Sequence, residues 1–289
     1  MPVQTVTSLD MLRKATGALR AGGATLAFVP TMGALHEGHL TLVREARRHA
    51  DRVAVSIFVN PTQFGANEDL DAYPRQLAED SRMLEAERVD LLWAPGVAEM
   101  YPDGFASSIA VAGVSEGLCG AARPGHFDGV ATVVCKLFNQ VRPDVALFGE
   151  KDWQQLAVIR RMARDLDLTA PRADAILGVA TVREDDGLAL SSRNRYLSSG
   201  QRGAAAALPR AMHGAIARIE GGAGVADVLE QVGNDLIAAG FDSVDYVSLA
   251  DAATLAPLDR LGDSSARLLV AARIGGTRLI DNMPAGPRL

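Results

Sequence analysis

Two histidines three positions apart, His36 and His39, stand where an apolar run passes through a turn into an amphipathic pattern. Residues three apart on the first turn of a helix project from the same side, the geometry needed to grip one anion. The run over 24–29 has the length and composition of a buried strand, and Pro30 and Gly33 mark the turn. The helix that follows places Leu40, Val43, Ala46 and Ala50 on one face, with Arg44, Glu45, Arg47 and Arg48 around the others. Free N–H groups and the positive dipole end of such a helix suit phosphate, and Gly33 lets backbone approach a ligand closely. Taken alone, the pair also admits one helix-capping histidine and one surface histidine. The spacing is not the four-residue separation of a His-Glu-x-x-His zinc helix. Lys151 is a second candidate, because it follows a predicted strand and Gly149 as a phosphate-binding lysine does. An exposed lysine in a surface turn is the alternative.

The elements that must position these groups alternate between strand and helix. A first helix is expected over 8–21, with Ser8 as N-cap and Gly22-Gly23 as its stop. Strands follow over 52–59 and 89–94, and a helix over 77–86. The polar segment 60–74 is long for a simple connection, so it reads as a functional loop or as one containing a short helix. The pattern predicts a short edge strand over 107–111, a glycine-rich loop over 119–127, a helix over 129–141 and a strand over 144–148. A helix over 153–165 and a strand over 175–182 come next. This order implies right-handed crossovers and a doubly wound, mostly parallel Rossmann-like α/β sheet, with ligands beyond the carboxyl ends of its strands. After Arg195 the grammar changes to helices over 201–219 and 225–239 and strands over 244–249, 267–274 and 277–282, with Gly275-Gly276 as a hairpin turn. We therefore expect residues 1–177 to form a Rossmann-like α/β domain that carries the candidate phosphate site, and 178–289 to form a smaller α+β domain.

The 289 residues are enough for a large core, and 48% hydrophobic with 22% charged residues is the balance of a globular protein. A net charge of −6 gives no general attraction to nucleic acid or to an anionic membrane, so a polyanionic ligand needs a local basic pocket. Cys119 and Cys135 form no Cys-x-x-Cys pair, which argues against a disulfide framework or zinc cluster. No secretion signal and no membrane span are read, and the cytoplasm is the expected location.

The segment Pro-Thr-Met-Gly-Ala-Leu-His-Glu-Gly-His from Pro30 to His39 resembles the nucleotide-binding motif of the nucleotidyltransferase superfamily shared with class I aminoacyl-tRNA synthetases. More narrowly, it is similar to the signature of the pantoate–β-alanine ligase family. Three further segments agree in order: Ser-Ile-Phe-Val-Asn-Pro-Thr-Gln-Phe from Ser56, Phe-Gly-Glu-Lys-Asp-Trp-Gln-Gln from Phe148, and Leu-Ser-Ser-Arg-Asn from Leu190. The resemblance covers nearly the whole chain. It implies two steps in one site: pantoate carboxylate attacks the α-phosphorus of ATP, giving pantoyl adenylate and pyrophosphate, and β-alanine then displaces AMP to make the amide.

Carried over by residue, the resemblance places ATP along Met32, Gly33, Ala34, Leu35, His36, Glu37, Gly38 and His39, with His39 at the position assigned as proton donor. It adds Gly149, Glu150, Lys151 and Asp152, then Leu190, Ser191, Ser192 and Arg193 as a second phosphate-binding motif, and Val182 as a backbone contact to adenine. Gln63 and Gln155 map onto pantoate-holding positions, and Asn60 and Arg123 onto positions for pantoate and the β-alanine carboxylate. Glu79 and Asp80 fall at the acidic position implicated in Mg²⁺ binding, where Met83 replaces the third member. A homodimer is implied as well. A hydrolysable adenylate calls for closure by the second domain and the 60–74 loop. Two other functions remain open to the sequence: a nucleotidyltransferase acting on another small acceptor, and an ATP sensor without turnover.

Overall fold

In the computed structural model, residues 3–65 and 70–286 are described. Residues 66–69, within the 60–74 loop expected to close the site, lie outside them. The chain begins with β1 (Gln4–Val6), α1 (Leu9–Leu19), β2 (Leu26–Thr31), α2 (Glu37–His49), β3 (Arg52–Ile57), α3 (Leu77–Ala86) and β4 (Leu91–Trp93). Two short helices, α4 (Val97–Met100) and α5 (Cys119–Ala122), precede α6 (His126–Val141), β5 (Val145–Gly149), α7 (Trp153–Asp165) and β6 (Ile176–Val179). The remainder is α8 (Ser199–Ala205), α9 (Ala207–Glu220), α10 (Val225–Ala238), β7 (Ser243–Asp251), β8 (Ala266–Ile274) and β9 (Thr277–Ala285).

Strands β1 to β6 form one parallel sheet in the order β1-β4-β3-β2-β5-β6. The order reverses between β2 and β5, so the crevice such folds use for ligands opens at the ends of those two strands. Both sheet faces are covered, which is why the strands read as almost unbroken apolar runs. Ala27, Val29, Val53, Val55 and Leu92 pack on Leu42, Val43 and Ala46 of α2 and Leu84 of α3. The alternate residues Leu26, Phe28, Leu91 and Trp93 are fully buried. On their side α6 contacts β2 and α1 contacts β4, and Trp93 Nε1 donates to Gln140 Oε1 of α6 at 3.1 Å.

The chain clusters into two compact units, one comprising Met1–Ala112, Arg123–Gly149 and Val158–Ala180, the other Gly113–Ala122, Glu150–Ala157 and Thr181–Leu289. The second holds the antiparallel sheet β7-β8-β9. Gly275 and Gly276 turn the β8–β9 hairpin with φ of 57° and 78°, the left-handed pair that a tight two-residue turn requires. Strand β7 shifts register between Val244 and Tyr246. Met212 and Ala215 of α9, Val228 and Leu236 of α10, and Leu268 and Val270 of β8 share its core.

Three sequence expectations change. Residues 107–111 form no strand, and Ile109 N–H instead donates to Thr132 Oγ1 of α6 at 2.9 Å. The single helix expected over 201–219 is two, broken at Ala206, because Pro209 has no N–H to donate and is tolerated only in the first turn of α9. The loop expected over 119–127 contains α5 and the start of α6, whose N-cap Gly125 has φ 79°.

Candidate active site

The turn after β2 is held by side chains. His36 is the N-cap of α2; its Nδ1 accepts from Gly38 N–H at 3.1 Å, while His36 N–H donates to His39 Nδ1 at 3.4 Å. The two rings stand 4.2 Å apart. A ring nitrogen that accepts from a backbone N–H carries no proton, so each neutral imidazole has its hydrogen on Nε2. This reciprocal capping satisfies two N-terminal amides at once.

Before the helix, Gly33 and Ala34 both have positive φ, 81° and 52°, an unfavourable conformation for alanine. Asp80 of α3, 1% exposed, stabilises it: Oδ2 accepts from Ala34 N–H at 3.0 Å, and Oδ1 from Leu35 N–H at 2.9 Å and Gln76 Nε2 at 3.3 Å. A Cβ on Gly33 would lie 3.0 Å from Asp80 Oδ2, so the turn closes tightly on the carboxylate. Gly33 N–H reaches Thr31 Oγ1 at 3.2 Å. The amides of Gly33, Ala34, Leu35, His36 and Gly38 thus already have side-chain acceptors, and the imidazoles rather than free backbone N–H groups are the donors suited to an anion.

The resemblance assigns Asp80 to Mg²⁺ together with Glu79. The geometry does not fit that role: both Asp80 oxygens are engaged inside the protein, and Glu79 is exposed. Among the described residues no group of three or more His, Cys, Asp or Glu side chains is arranged to hold a metal ion.

A second cluster of the same unit is built on Asn60, which follows β3 and is 1% exposed. Its Oδ1 accepts from Thr62 N–H at 3.3 Å, Thr62 Oγ1 at 3.0 Å and the Tyr101 hydroxyl at 2.8 Å. Its Nδ2 donates to Gly129 O and to Gln63 Oε1, both at 3.1 Å. Bonds from a backbone N–H and to a backbone carbonyl fix which end of the amide is oxygen. Gln63 is then fixed too: Oε1 faces Asn60, and Nε2 points to Met32 Sδ at 2.8 Å. A thioether is a weak acceptor, so the Gln63 NH₂ meets a weak partner on this side. Asn60, expected as a pantoate contact, holds Gln63 through its Nδ2. Burial pushes the Tyr101 phenol above the ordinary tyrosine range, keeping it a proton donor.

The Gln63 main chain is pinned as well. His126 Nδ1 donates to Gln63 O at 2.7 Å, which leaves Nε2 to accept from Arg123 at 2.9 Å, and Arg123 reaches the same carbonyl at 3.4 Å. Gly129 of α6 admits the 60–63 turn: a Cβ there would lie 2.3 Å from Thr62 O and 2.8 Å from Gln63 Cα. Sequence reading missed Tyr101, His126 and Gly129, which carry no motif of their own.

In the second unit, residues 150–152 form a single 3-10 turn. Lys151 Nζ lies 3.8 Å from Asp152 Oδ1. Asn282 Nδ2 of β9 donates to Glu150 O at 2.9 Å and Lys151 O at 2.8 Å, fixing the lysine's backbone. Arg267 of β8 pairs with Glu150 at 2.7 Å, bonds Asn282 and stacks 3.5 Å over the Trp153 ring. Burial lowers its pKa from the usual arginine value. The two glutamines of α7 separate in kind. Gln154, 5% exposed, accepts from Cys119 N–H at 3.0 Å and donates to Val114 O at 3.0 Å and Gly117 O at 2.8 Å, whereas Gln155 is half-buried.

Downstream, Val182 O accepts from Leu190 N–H at 3.0 Å. Arg183 makes a two-pronged pair with the fully buried Asp281 carboxylate at 2.6 and 2.9 Å. Ser191 Oγ caps the 3-10 turn Ser192–Tyr196 through Arg193 N–H at 3.3 Å. Asn194 ties that turn to Glu184 and Ala189, both at 3.1 Å. Arg267 and Asn282, near the end of the chain, were invisible to motif reading.

A doubly wound parallel sheet whose switch-point strand runs into a helix capped by paired histidines defines an α/β protein with its candidate site at that turn. The sequence matches the family described as Pantoate-beta-alanine ligase over residues 4–284. Pantothenate synthetase of Novosphingobium aromaticivorans is 70% identical over 286 residues, covering 99% of this chain and all of that protein, and its counterpart in Sphingopyxis alaskensis is 60% identical over 98% of this chain and all of that protein. Among solved structures, pantothenate synthetase from Thermus thermophilus superposes with TM-score 0.91 at 47% identity, covering 99% of this chain and 100% of that one. A pantoate-beta-alanine ligase from Francisella tularensis, complexed with beta-gamma ATP and beta-alanine, gives TM-score 0.81 at 33% identity over 97% of each chain. The chain belongs to the pantoate–β-alanine ligase family. It is an AMP-forming carbon–nitrogen ligase that condenses pantoate with β-alanine at the expense of ATP, through a pantoyl adenylate. Among the described residues no helix is long and apolar enough to cross a membrane.

Proposed function

We propose that His36 and His39 donate their Nε2 hydrogens to phosphate oxygens of ATP as pantoate attacks the α-phosphorus. The observation that carries this reading is the reciprocal cap, which ties both Nδ1 atoms to backbone amides and so sets the tautomer of both rings. Both nucleophiles belong to substrates, so the protein's tasks are positioning and charge stabilisation. Lys151 supplies a point charge to the phosphates from a backbone fixed by Asn282. Ser191, Ser192 and Arg193 add hydroxyls and a guanidinium, the Gly149–Asp152 segment and Val182 line the nucleotide, and Gln155 orients pantoate.

Gln63 presents its NH₂ to pantoate. An amide binds the acid while leaving its oxygen more nucleophilic than an arginine would. Arg123, already bonded to the Gln63 carbonyl and His126, serves the β-alanine carboxylate in this reading. Mg²⁺ is needed and arrives with ATP, its ligands being phosphates and water. The enzyme acts in the cytoplasm as a homodimer.

The test follows pyrophosphate and AMP separately, with ATP, Mg²⁺ and pantoate, with and without β-alanine. Pyrophosphate release or exchange that requires pantoate, with sustained AMP only when β-alanine is present, is the expected result. ATP binding without either product would favour a sensor, and turnover with a different acid would reassign the acceptor.

A further inference from the structure

The chemical polarity of Gln63 is set from outside the substrate site. A glutamine amide can offer a substrate its carbonyl oxygen or its NH₂, and in isolation the two orientations are close in energy. Here Asn60 decides, since its Nδ2 faces Gln63 Oε1 at 3.1 Å and turns Gln63 Nε2 to the opposite side, against the weakly accepting Met32 sulfur at 2.8 Å. Asn60 cannot rotate by half a turn, because that would set its NH₂ against Thr62 N–H and its oxygen against Gly129 O. The shortest bond holding it is the one from the Tyr101 hydroxyl, at 2.8 Å. The Tyr101 ring is steadied in turn by Phe105, edge-on with centroids 5.0 Å apart.

We infer that Tyr101 is a positioning residue that, by holding Asn60 in place, keeps Gln63 with its NH₂ outward and so favours an acceptor acid that presents an ionised carboxylate. The inference rests on the assignment of Gln63 to pantoate made above. Its chemistry is direct: an ionised carboxylate, which can only accept, takes a hydrogen bond from an NH₂ and is repelled by an amide oxygen, whereas a hydroxyl could bond to either end. Tyr101 itself touches no substrate in this scheme.

The test compares Tyr101→Phe, Asn60→Asp and Gln63→Ala, with KM for pantoate and ATP measured separately. Tyr101→Phe removes one hydroxyl and keeps the ring; loss of one hydrogen bond corresponds to roughly a three- to tenfold rise in pantoate KM, with ATP KM within about twofold. Asn60→Asp replaces the donor facing Gln63 by an acceptor and should raise pantoate KM further. On a Gln63→Ala background the pantoate effect of Tyr101→Phe should vanish, which a merely structural contribution to folding would not do. A thermal melt for each variant identifies any that fail to fold, and Tyr101→Phe, the mildest, then decides. If Gln63→Ala raises pantoate KM but Tyr101→Phe moves neither KM, or both together, the positioning role is overturned while the Gln63 assignment stands. If Gln63→Ala leaves pantoate KM unchanged, both fall.

Discussion

Replacing Asp80 by asparagine keeps the shape of the side chain and exchanges one oxygen for an NH₂. In the native turn one oxygen takes Ala34 N–H and the other takes Leu35 N–H and Gln76. The asparagine oxygen can serve one side only, so its NH₂ must face a backbone N–H, donor against donor. Losing a hydrogen bond to a charged group costs about 1.5–3 kcal/mol, and leaving a buried amide unpaired about 1–3 kcal/mol. We therefore expect Asp80→Asn to lose about 3–5 kcal/mol, a large part of the roughly 5–15 kcal/mol typical of folded proteins. The same turn carries His36, and a displacement of about 1 Å at a reacting group can lower turnover by about 10²-fold. The assay pairs urea unfolding with initial rates over a Mg²⁺ titration. Lower stability and turnover, with an unchanged midpoint for Mg²⁺ activation, is the expected pattern. Native stability together with a large rise in the Mg²⁺ requirement would refute the reasoning and return Asp80 to the metal.

Gly129→Ala should lower turnover by about 10²-fold and raise pantoate KM, because a Cβ 2.3 Å from Thr62 O forces the Gln63 turn outward by about 1 Å; a crystal structure of the variant with that turn unmoved would contradict this. His39→Ala should reduce adenylate formation by about 10²-fold or more in folded protein, read from pantoate-dependent pyrophosphate release; near-normal rates would remove the ring from the reaction. The adjacent glutamines should part company. Gln154→Ala leaves Cys119 N–H without its acceptor and should destabilise by about 1–3 kcal/mol, whereas Gln155→Ala should leave the melting temperature in place and weaken pantoate far more than ATP. Arg267→Lys keeps the charge but loses the planar stack on Trp153 and should lower stability, with an unchanged melt counting against the stack.

What could be read from the sequence follows how far apart the partners lie along the chain. The histidine pair was legible because its instructions are local: strand, glycine turn, cap and helix occupy consecutive residues, and the cap closes within three positions. The alternation of strand and helix likewise announced the parallel sheet. The bonds of Asp80 were not legible, because an acidic residue carries no mark of whether its oxygens face solvent, a cation or, as here, two amides 45 and 46 positions earlier. The bonds of Asn60 to Gln63 and Gly129 were hidden because the motif names the residue but not the direction of its amide. Tyr101 and Gly129 had no signal beyond their types. The strand expected over 107–111 failed for a different reason: an edge strand needs a partner strand, and Ile109 N–H is bonded to a helix side chain.

The long-range character of Asp80 also bears on the order of folding. The cap on α2 needs only neighbouring residues, whereas the left-handed turn before it waits for α3, and the Asn60 cluster waits for Gly129, 69 positions along the chain. Bringing distant segments together carries a loop-closure cost before any contact rewards it, which slows such steps relative to local ones. On refolding from denaturant, helical ellipticity should therefore return before pantoate-dependent pyrophosphate release, and the interval between the two would measure how late the chemistry becomes possible.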